Sequence, residues 1–310
     1  MNGVIVVDKP AGFTSFDVVA VMRGVCRERK IGHTGTLDPM ATGVLPLLLG
    51  TATRAAPLLE NTDKEYEAGF RLGFATDTQD TTGKVVERSD ARVSESRLRA
   101  ALPRFRGELQ QTPPMYSAVR VGGRRLYELA RRGVQVERRA RGVTIYRLEL
   151  LGFDERSQSG RLAVSCSKGT YIRTLCADIG RALGTCGAMS SLRRTRASGF
   201  SLAGAVTPER ARALAEEGRL GECLRPVECL FPSSPRVRVS AAQAARFLNG
   251  GALDLCRTPL RGQAPPEGAR YRVCSPEGAF LGLGEARDGK LRVLRLFWGN
   301  ESAALGENNG

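Results

Sequence analysis

A single histidine, His33, is all the imidazole in this chain of 310 residues. Its eight cysteines, Cys26, Cys166, Cys176, Cys186, Cys223, Cys229, Cys256 and Cys274, include no C-x-x-C pair. A zinc site of ordinary spacing needs clustered thiolates and imidazoles, so none is expected, and the thiols read as buried side chains of a reducing compartment. Also missing are a Walker loop, a well-placed G-x-G-x-x-G and a G-x-S-x-G elbow. Their absence removes the usual phosphate cradles and the serine hydrolases that would need His33 in a triad. No apolar run approaches the ~20 residues of a spanning helix, and "MNGVIVVDKPAG" has no charged region ahead of its short apolar stretch. A cytoplasmic protein with no membrane role is expected, working without metal or cofactor.

What the chain has in excess is positive charge. Lysine and arginine total 47 against 32 acidic residues, a formal charge of +15, and most of the cations are arginine. Coding bias explains arginine replacing lysine, but not the surplus over acids. A polyanionic partner is expected, nucleic acid first, because neutralising phosphates releases condensed counterions. The charge is dense from Arg88 to Arg147, including "RRLYELARRGVQVERRARG". Taken alone, that run reads as a solvated helix face; the interleaved Tyr127 and the single sign of the charge make an arm facing nucleic acid the competing reading.

Along the chain, "GVIVVDKP" reads as a buried strand stopped by Pro10, followed by a helix that Ser15 can cap, with Val18, Val21, Met22 and Val25 at helical spacing. "GVLPLLLGTATR" reads as core and "KEYEAGFRLG" as an alternating strand. "LAVSCSKGTYIRTLCADIGRALG" reads as strand, glycine turn and helix, with Thr170 as N-cap, Gly184 as the stop, and Ile172, Leu175, Ile179 and Leu183 on the buried face. Arg173 lies off that face near the helix start, free to reach into a cleft. Two prolines and two serines make "LFPSSP", Leu230 to Pro235, the linker candidate. Beyond it, "GAFLGLGEA" and "KLRVLRLFW" joined across "RDG" read as a hairpin in a small β-rich module, and "ESAALGENNG" as a disordered tail. No internal repeat of fixed period is present.

The candidate for chemistry is Asp38 in "KIGHTGTLDPMATG". Glycines and threonines let backbone approach a ligand, while Pro39 pushes Asp38 toward an extended conformation. A carboxylate so held can act as nucleophile or base; an Asp-Pro is equally a common turn cap. His33, as a lone histidine, reads by default as a structural hydrogen-bonding residue. Tyr66 and Tyr171 read as half-buried core aromatics or, in an RNA cleft, as stacking partners.

Taken together, "GHTGTLDPMATGVLP", "VVDKPAGFTS", "KEYEAGFRLG", "PPMYSAVRVGGRRLYELARRG", "SKGTYIRTL" and "LRRTRASGF" resemble the motifs of the TruB family of tRNA pseudouridine synthases, strongly over roughly residues 3 to 230. The resemblance implies an α+β fold: a mixed, mostly antiparallel sheet flanked by helices over residues 1–230, an RNA-binding arm at about 115–142, and a β-rich PUA-like domain at 236–300. It implies isomerisation of uridine to pseudouridine in the tRNA T-arm, at the position conventionally numbered 55, by a monomer needing no cofactor, metal or protein partner.

On that match Asp38 breaks the glycosidic bond, Arg173 pairs with its carboxylate, and Tyr66 stacks on the target base and takes a proton at the end. Tyr171 and Leu192 match pocket walls, and His33 matches the histidine that stands where the flipped base was. Lys9 and Pro10 match a motif supporting the active-site loop, and Lys9 is counted with Arg124 and Arg131 of the arm among the residues that hold substrate. The C-terminal module would touch the acceptor arm. Three rivals remain: a guide-RNA-dependent synthase, a non-catalytic tRNA-binding or folding protein and, more distantly, an acid-base hydrolase of nucleosides that would liberate free uracil.

Overall fold

The computed structural model describes residues 1–298; the tail expected to be disordered lies outside them. The opening apolar run forms β1, Gly3–Lys9, which ends where Pro10 removes a ladder donor. Helix α1, Ser15–Val25, follows. Its cap is Thr14, not Ser15. The Thr14 hydroxyl accepts from the Asp17 amide while the Asp17 carboxylate accepts from the Thr14 amide. That reciprocal box satisfies two orphan donors where a single serine satisfies one. Ser15 is left for another task, described below.

The short β2, Ile31–His33, and β3, Thr42–Leu49, buried from Gly43 onward, flank the loop that carries Asp38. After β4, Lys64–Leu72, a small hairpin pairs β5, Phe74–Thr76, with β6, Val85–Arg88. Then come α2, Glu95–Ala101, and β7, Gly107–Gln111. The arginine-dense run forms a two-residue-strand hairpin, β8, Arg120–Val121, with β9, Arg124–Arg125, and one turn of helix, α3, Leu126–Ala130. The long β10, Arg141–Asp154, returns to β11, Ser159–Cys166. Helix α4, Ile172–Ala182, strand β12, Gly187–Ala197, short β13, Phe200–Ser201, and helix α5, Pro208–Glu216, complete this part.

These strands make one nine-stranded sheet in the order β1-β3-β12-β4-β11-β10-β7, with β2 beside β3 and β13 beside β12. Only the β3–β12 contact is parallel. The mixed, mostly antiparallel α+β fold expected from the sequence is the observed one. Helix α4 lays Ile172, Leu175, Ile179 and Leu183 onto the sheet beside Phe70, Leu162 and Val164, while α1 and α5 cover β1 and β3 through Val18, Met22 and Ala211. Gly184, at φ +72°, terminates α4 as expected. Thr170 does not cap it: the helix starts one residue later than that reading required, and the Thr170 hydroxyl donates to the Ser167 carbonyl in the preceding turn.

The C-terminal module begins at β14, Arg236–Arg238, and continues through α6, Ala241–Leu248, β15, Leu253–Asp254, and β16, Arg270–Cys274. The expected hairpin is β17, Phe280–Arg287, with β18, Lys290–Leu296. Its five strands run β14-β16-β17-β18-β15. The "LFPSSP" segment connects the two sheets without being a solvated tether. Phe231 is fully buried and packs against Phe280 and Phe297, and Glu60 accepts hydrogen bonds from the Ser233 amide and the Ser234 hydroxyl. Among the described residues the cysteines are free thiols, five of them buried, and no helix is long and apolar enough to cross a membrane.

Candidate active site

Asp38 sits on the loop between β2 and β3, and three buried groups pin that loop from below. The Ser15 hydroxyl accepts the Leu37 amide at 2.8 Å, so the first turn of α1 anchors the residue before Asp38. The Lys9 ammonium, fully buried at the end of β1, donates to the carbonyls of Pro10, Phe13 and Pro39, the last at 3.3 Å. Arg194 of β12, also fully buried, donates to the carbonyls of Gly35 at 2.9 Å, Thr36 at 3.3 Å and Val44 at 2.7 Å. Lys9, expected among the residues that hold substrate, thus lies wholly buried beneath the loop, its ammonium spent on backbone carbonyls. Burial lowers its pKa to about 8, against the favourable charge of Asp38.

The Asp38 carboxylate does not cap its own turn. It faces Arg173, whose Nε stands 3.0 Å from Oδ2 and whose Nη2 donates to Oδ1 at 3.1 Å, a two-pronged contact. The guanidinium is almost wholly buried, while a third of the Asp38 side chain remains open to solvent. Arg173 has further partners. Nη1 donates to the Thr78 carbonyl at 2.9 Å and lies 3.6 Å from Asp80 Oδ2, and Nη2 donates to the Tyr116 carbonyl at 2.8 Å. One side chain thus ties Asp38 to the 76–82 turn and to the root of the arm. A cleft of about 460 Å³ opens between those two segments, lined by Gln79, Val86, Tyr116, Val134 and Arg138.

Electrostatically the pocket wins over the pair. Desolvation raises the Asp38 pKa above the usual carboxylate value, Arg173 pulls it back, and the nearby Asp80 pushes it further up. The arginine limits the rise instead of reversing it.

Tyr66 rises from β4 with its phenol buried, and burial pushes its pKa to about 12, so it is a neutral phenol at physiological pH. His33, half-buried on β2, has a pKa lowered by burial and by the charge of Arg194, and its Nδ1 has no hydrogen-bond partner among the described residues. Nδ1 therefore lacks the hydrogen bond that the default structural reading would give it. Leu192, opposite Ala68 on the neighbouring strand, is buried. Tyr171 precedes α4, its backbone amide and carbonyl both bound by the Gln111 side chain at 2.7 and 3.0 Å. Arg124 and Arg131 stand outside these contacts, on the arm. There Tyr127 is flanked by the guanidiniums of Arg125 and Arg131, at 5.8 and 5.5 Å from its ring centre.

Sequence reasoning passed over two residues. Asp80 is buried and accepts from the Thr78 hydroxyl, the Thr82 amide and the Thr82 hydroxyl. The stretch "TDTQDTTG" carried the signal, since closely spaced Asp and Thr form side-chain-stabilised turns. Arg194 was hidden among other arginines, although strand alternation in "LRRTR" sets it on the same face as Leu192. No group of residues suited to a metal is found among the described residues.

An open carboxylate held by an internal guanidinium, beside a buried tyrosine and at one edge of a mixed sheet, agrees with what similar chains are. Residues 23–172 match the TruB family pseudouridylate synthase N-terminal domain, residues 173–231 the tRNA pseudouridylate synthase B C-terminal domain, and residues 235–297 the C-terminal description of pseudouridine synthase II TruB. The tRNA pseudouridine synthase B of Cupriavidus metallidurans is 46% identical over 298 residues, covering 96% of this chain and 94% of that one. That of an Azoarcus species is 47% identical over 297 residues, covering 96% and 95%. Among solved structures, a chain of a Cbf5-Nop10-Gar1 complex matches with TM-score 0.71 and 27% identity, over 96% of this chain and 86% of that one. A chain of an H/ACA RNP bound to a substrate RNA containing 2'-deoxyuridine matches with TM-score 0.71 and 25% identity.

The protein is thus an isomerase of the pseudouridine synthase class. Within that class the chain belongs to the TruB family.

Proposed function

We propose that this chain converts uridine to pseudouridine in the T-arm of tRNA, at the position conventionally numbered 55, with Asp38 acting on a base flipped out of its stack. The observation that carries the reading is the partly open Asp38 carboxylate gripped on both oxygens by Arg173. Arg173 keeps the carboxylate aimed and favours its ionised form against desolvation, and an ionised Asp38 is what cleavage of the N1–C1′ bond requires. The uracil then rotates and rejoins C1′ through C5. The C5 proton leaves and N1 is protonated, so nothing is consumed. Tyr66 is a wall against which the base can stack and a relay for that proton. The unpartnered Nδ1 of His33 suits a residue that takes the place of a displaced base. In this scheme the chain works as a cytoplasmic monomer, with Arg124 and Arg131 gripping phosphates and the C-terminal module adding contacts along the acceptor arm.

The test is tritium release from tRNA transcript labelled at C5 of uridine, which a binding or folding protein does not produce. Asp38→Asn is expected to abolish release while tRNA binding persists; normal turnover by this variant defeats the assignment. The identity of about 46% to a tRNA pseudouridine synthase B, against 25–27% to chains of an H/ACA RNP and a Cbf5-Nop10-Gar1 complex, supports independence from a guide. Purified protein should therefore act on a bare T-arm stem-loop, and strict dependence on added guide RNA would overturn that part.

A further inference from the structure

Arg194 is a fully buried cation, and among the described residues it forms no ion pair with a carboxylate. Such a charge costs stability and is more stably replaced by apolar packing unless its position is needed. Its partners say where the need lies. The strand register of β12 sets Arg194 between Gly43 of β3 on one side and Tyr66 of β4 on the other. From there the guanidinium binds Gly35 and Thr36 on the chain entering the Asp38 turn and Val44 on the chain leaving it. Its charge is also felt by the Tyr66 phenol on the neighbouring strand.

We propose that Arg194 is a positioning residue of the isomerisation, clamping both ends of the Asp38 loop and fixing that loop relative to Tyr66, without itself touching the nucleoside. This deepens, and rests on, the reading of Asp38 and Tyr66 given above. A planar fork with five donors can hold three carbonyls from one point, whereas an ammonium cannot. The same charge helps lower the pKa of Lys64 on β4, of Lys9 on β1 and of His33 on β2, and it opposes the burial that raises that of Tyr66. It therefore helps keep the imidazole neutral where the base is displaced.

His33 is the sole histidine, so its ring proton resonance in the intact protein reports this field without assignment work. Arg194→Lys retains the charge and loses the fork; Arg194→Met loses both. With folding checked by circular dichroism, the lysine variant is expected to release C5 tritium about a hundredfold more slowly, as for a small misplacement of reacting groups. Its tRNA Kd and its His33 titration should stay as in wild type. The methionine variant should be as slow and should titrate His33 at higher pH. Wild-type turnover in either folded variant, loss of tRNA binding in step with rate, or an unmoved His33 titration in Arg194→Met would overturn the proposal. If the methionine variant fails to fold, the rate and Kd of Arg194→Lys decide alone. If wild-type protein releases no tritium, the earlier reading of the site falls first, and this one with it.

Discussion

At the scale of single residues, the site is a contest over one carboxylate. Desolvation and the like charge of Asp80 raise the Asp38 pKa, and Arg173 opposes both. On the proposed reading the protonated form of Asp38 is inactive, so turnover should fall as pH drops through a midpoint above the ordinary carboxylate value. Asp80→Asn removes a neighbouring negative charge and should move that acid limb to lower pH, even though it also loosens Arg173. A rate profile of tritium release from pH 4 to 8 measures both; an acid limb that shifts upward in Asp80→Asn would contradict the arrangement. Arg173→Lys should be worse than a loss of charge would suggest. The native fork serves Asp38, Asp80 and the carbonyls of Thr78 and Tyr116 at once. A single ammonium leaves some of these buried acceptors bare, and a fall of about a hundredfold or more in kcat is expected in single-turnover assays.

At the scale of elements, the strands and helices were legible because their periodicities are strong, whereas their ends and their polar pins were not. β1, β4 and the β17–β18 hairpin follow runs that alternate or stay apolar, and α4 follows its four buried positions. The Thr170 cap went astray because its hydroxyl is engaged in the preceding turn, and the Ser15 cap because a competing partner lies far away in sequence. Ser15 is claimed by Leu37, twenty-two residues on, and Tyr171 by Gln111, sixty residues back. Long-range hydrogen bonds of this kind leave no local trace. The same holds for Arg194, whose role depends on which strands lie beside β12.

Gly43 shows how tightly that neighbourhood is built. Its φ of +104° is one that side chains avoid, and an added Cβ would sit 2.2 Å from the Arg194 carbonyl oxygen. Gly43→Ala should lower stability by roughly 2 kcal/mol in urea unfolding, within the span of strained backbone substitutions. It should also slow turnover, because the β3–β12 contact that it forces apart holds the exit of the Asp38 loop. Unchanged stability would mean that the strands separate freely there.

At the scale of the whole molecule, the charge of +15 is unevenly spread, and that unevenness makes a measurable claim. The arm from Met115 to Gly142 holds eight arginines against Glu128 and Glu137. Some of its cations are already engaged: Arg138 donates to the Pro113 carbonyl, and Arg125 and Arg131 flank Tyr127. Tyr127, interleaved among the arm's arginines, thus carries guanidiniums in the free protein, which holds charge at the arm surface at little entropic cost. If about six phosphates are neutralised along the arm and the C-terminal module, tRNA affinity should fall on the order of a thousandfold between 50 and 200 mM salt. Arg124→Ala and Arg131→Ala should each weaken binding and flatten the plot of log K against log salt by about one unit, with the single-turnover rate of bound tRNA preserved. Phosphate contacts set register and carry no chemistry, so a variant that keeps its salt slope but loses the chemical step would move that arginine from the grip to the active site.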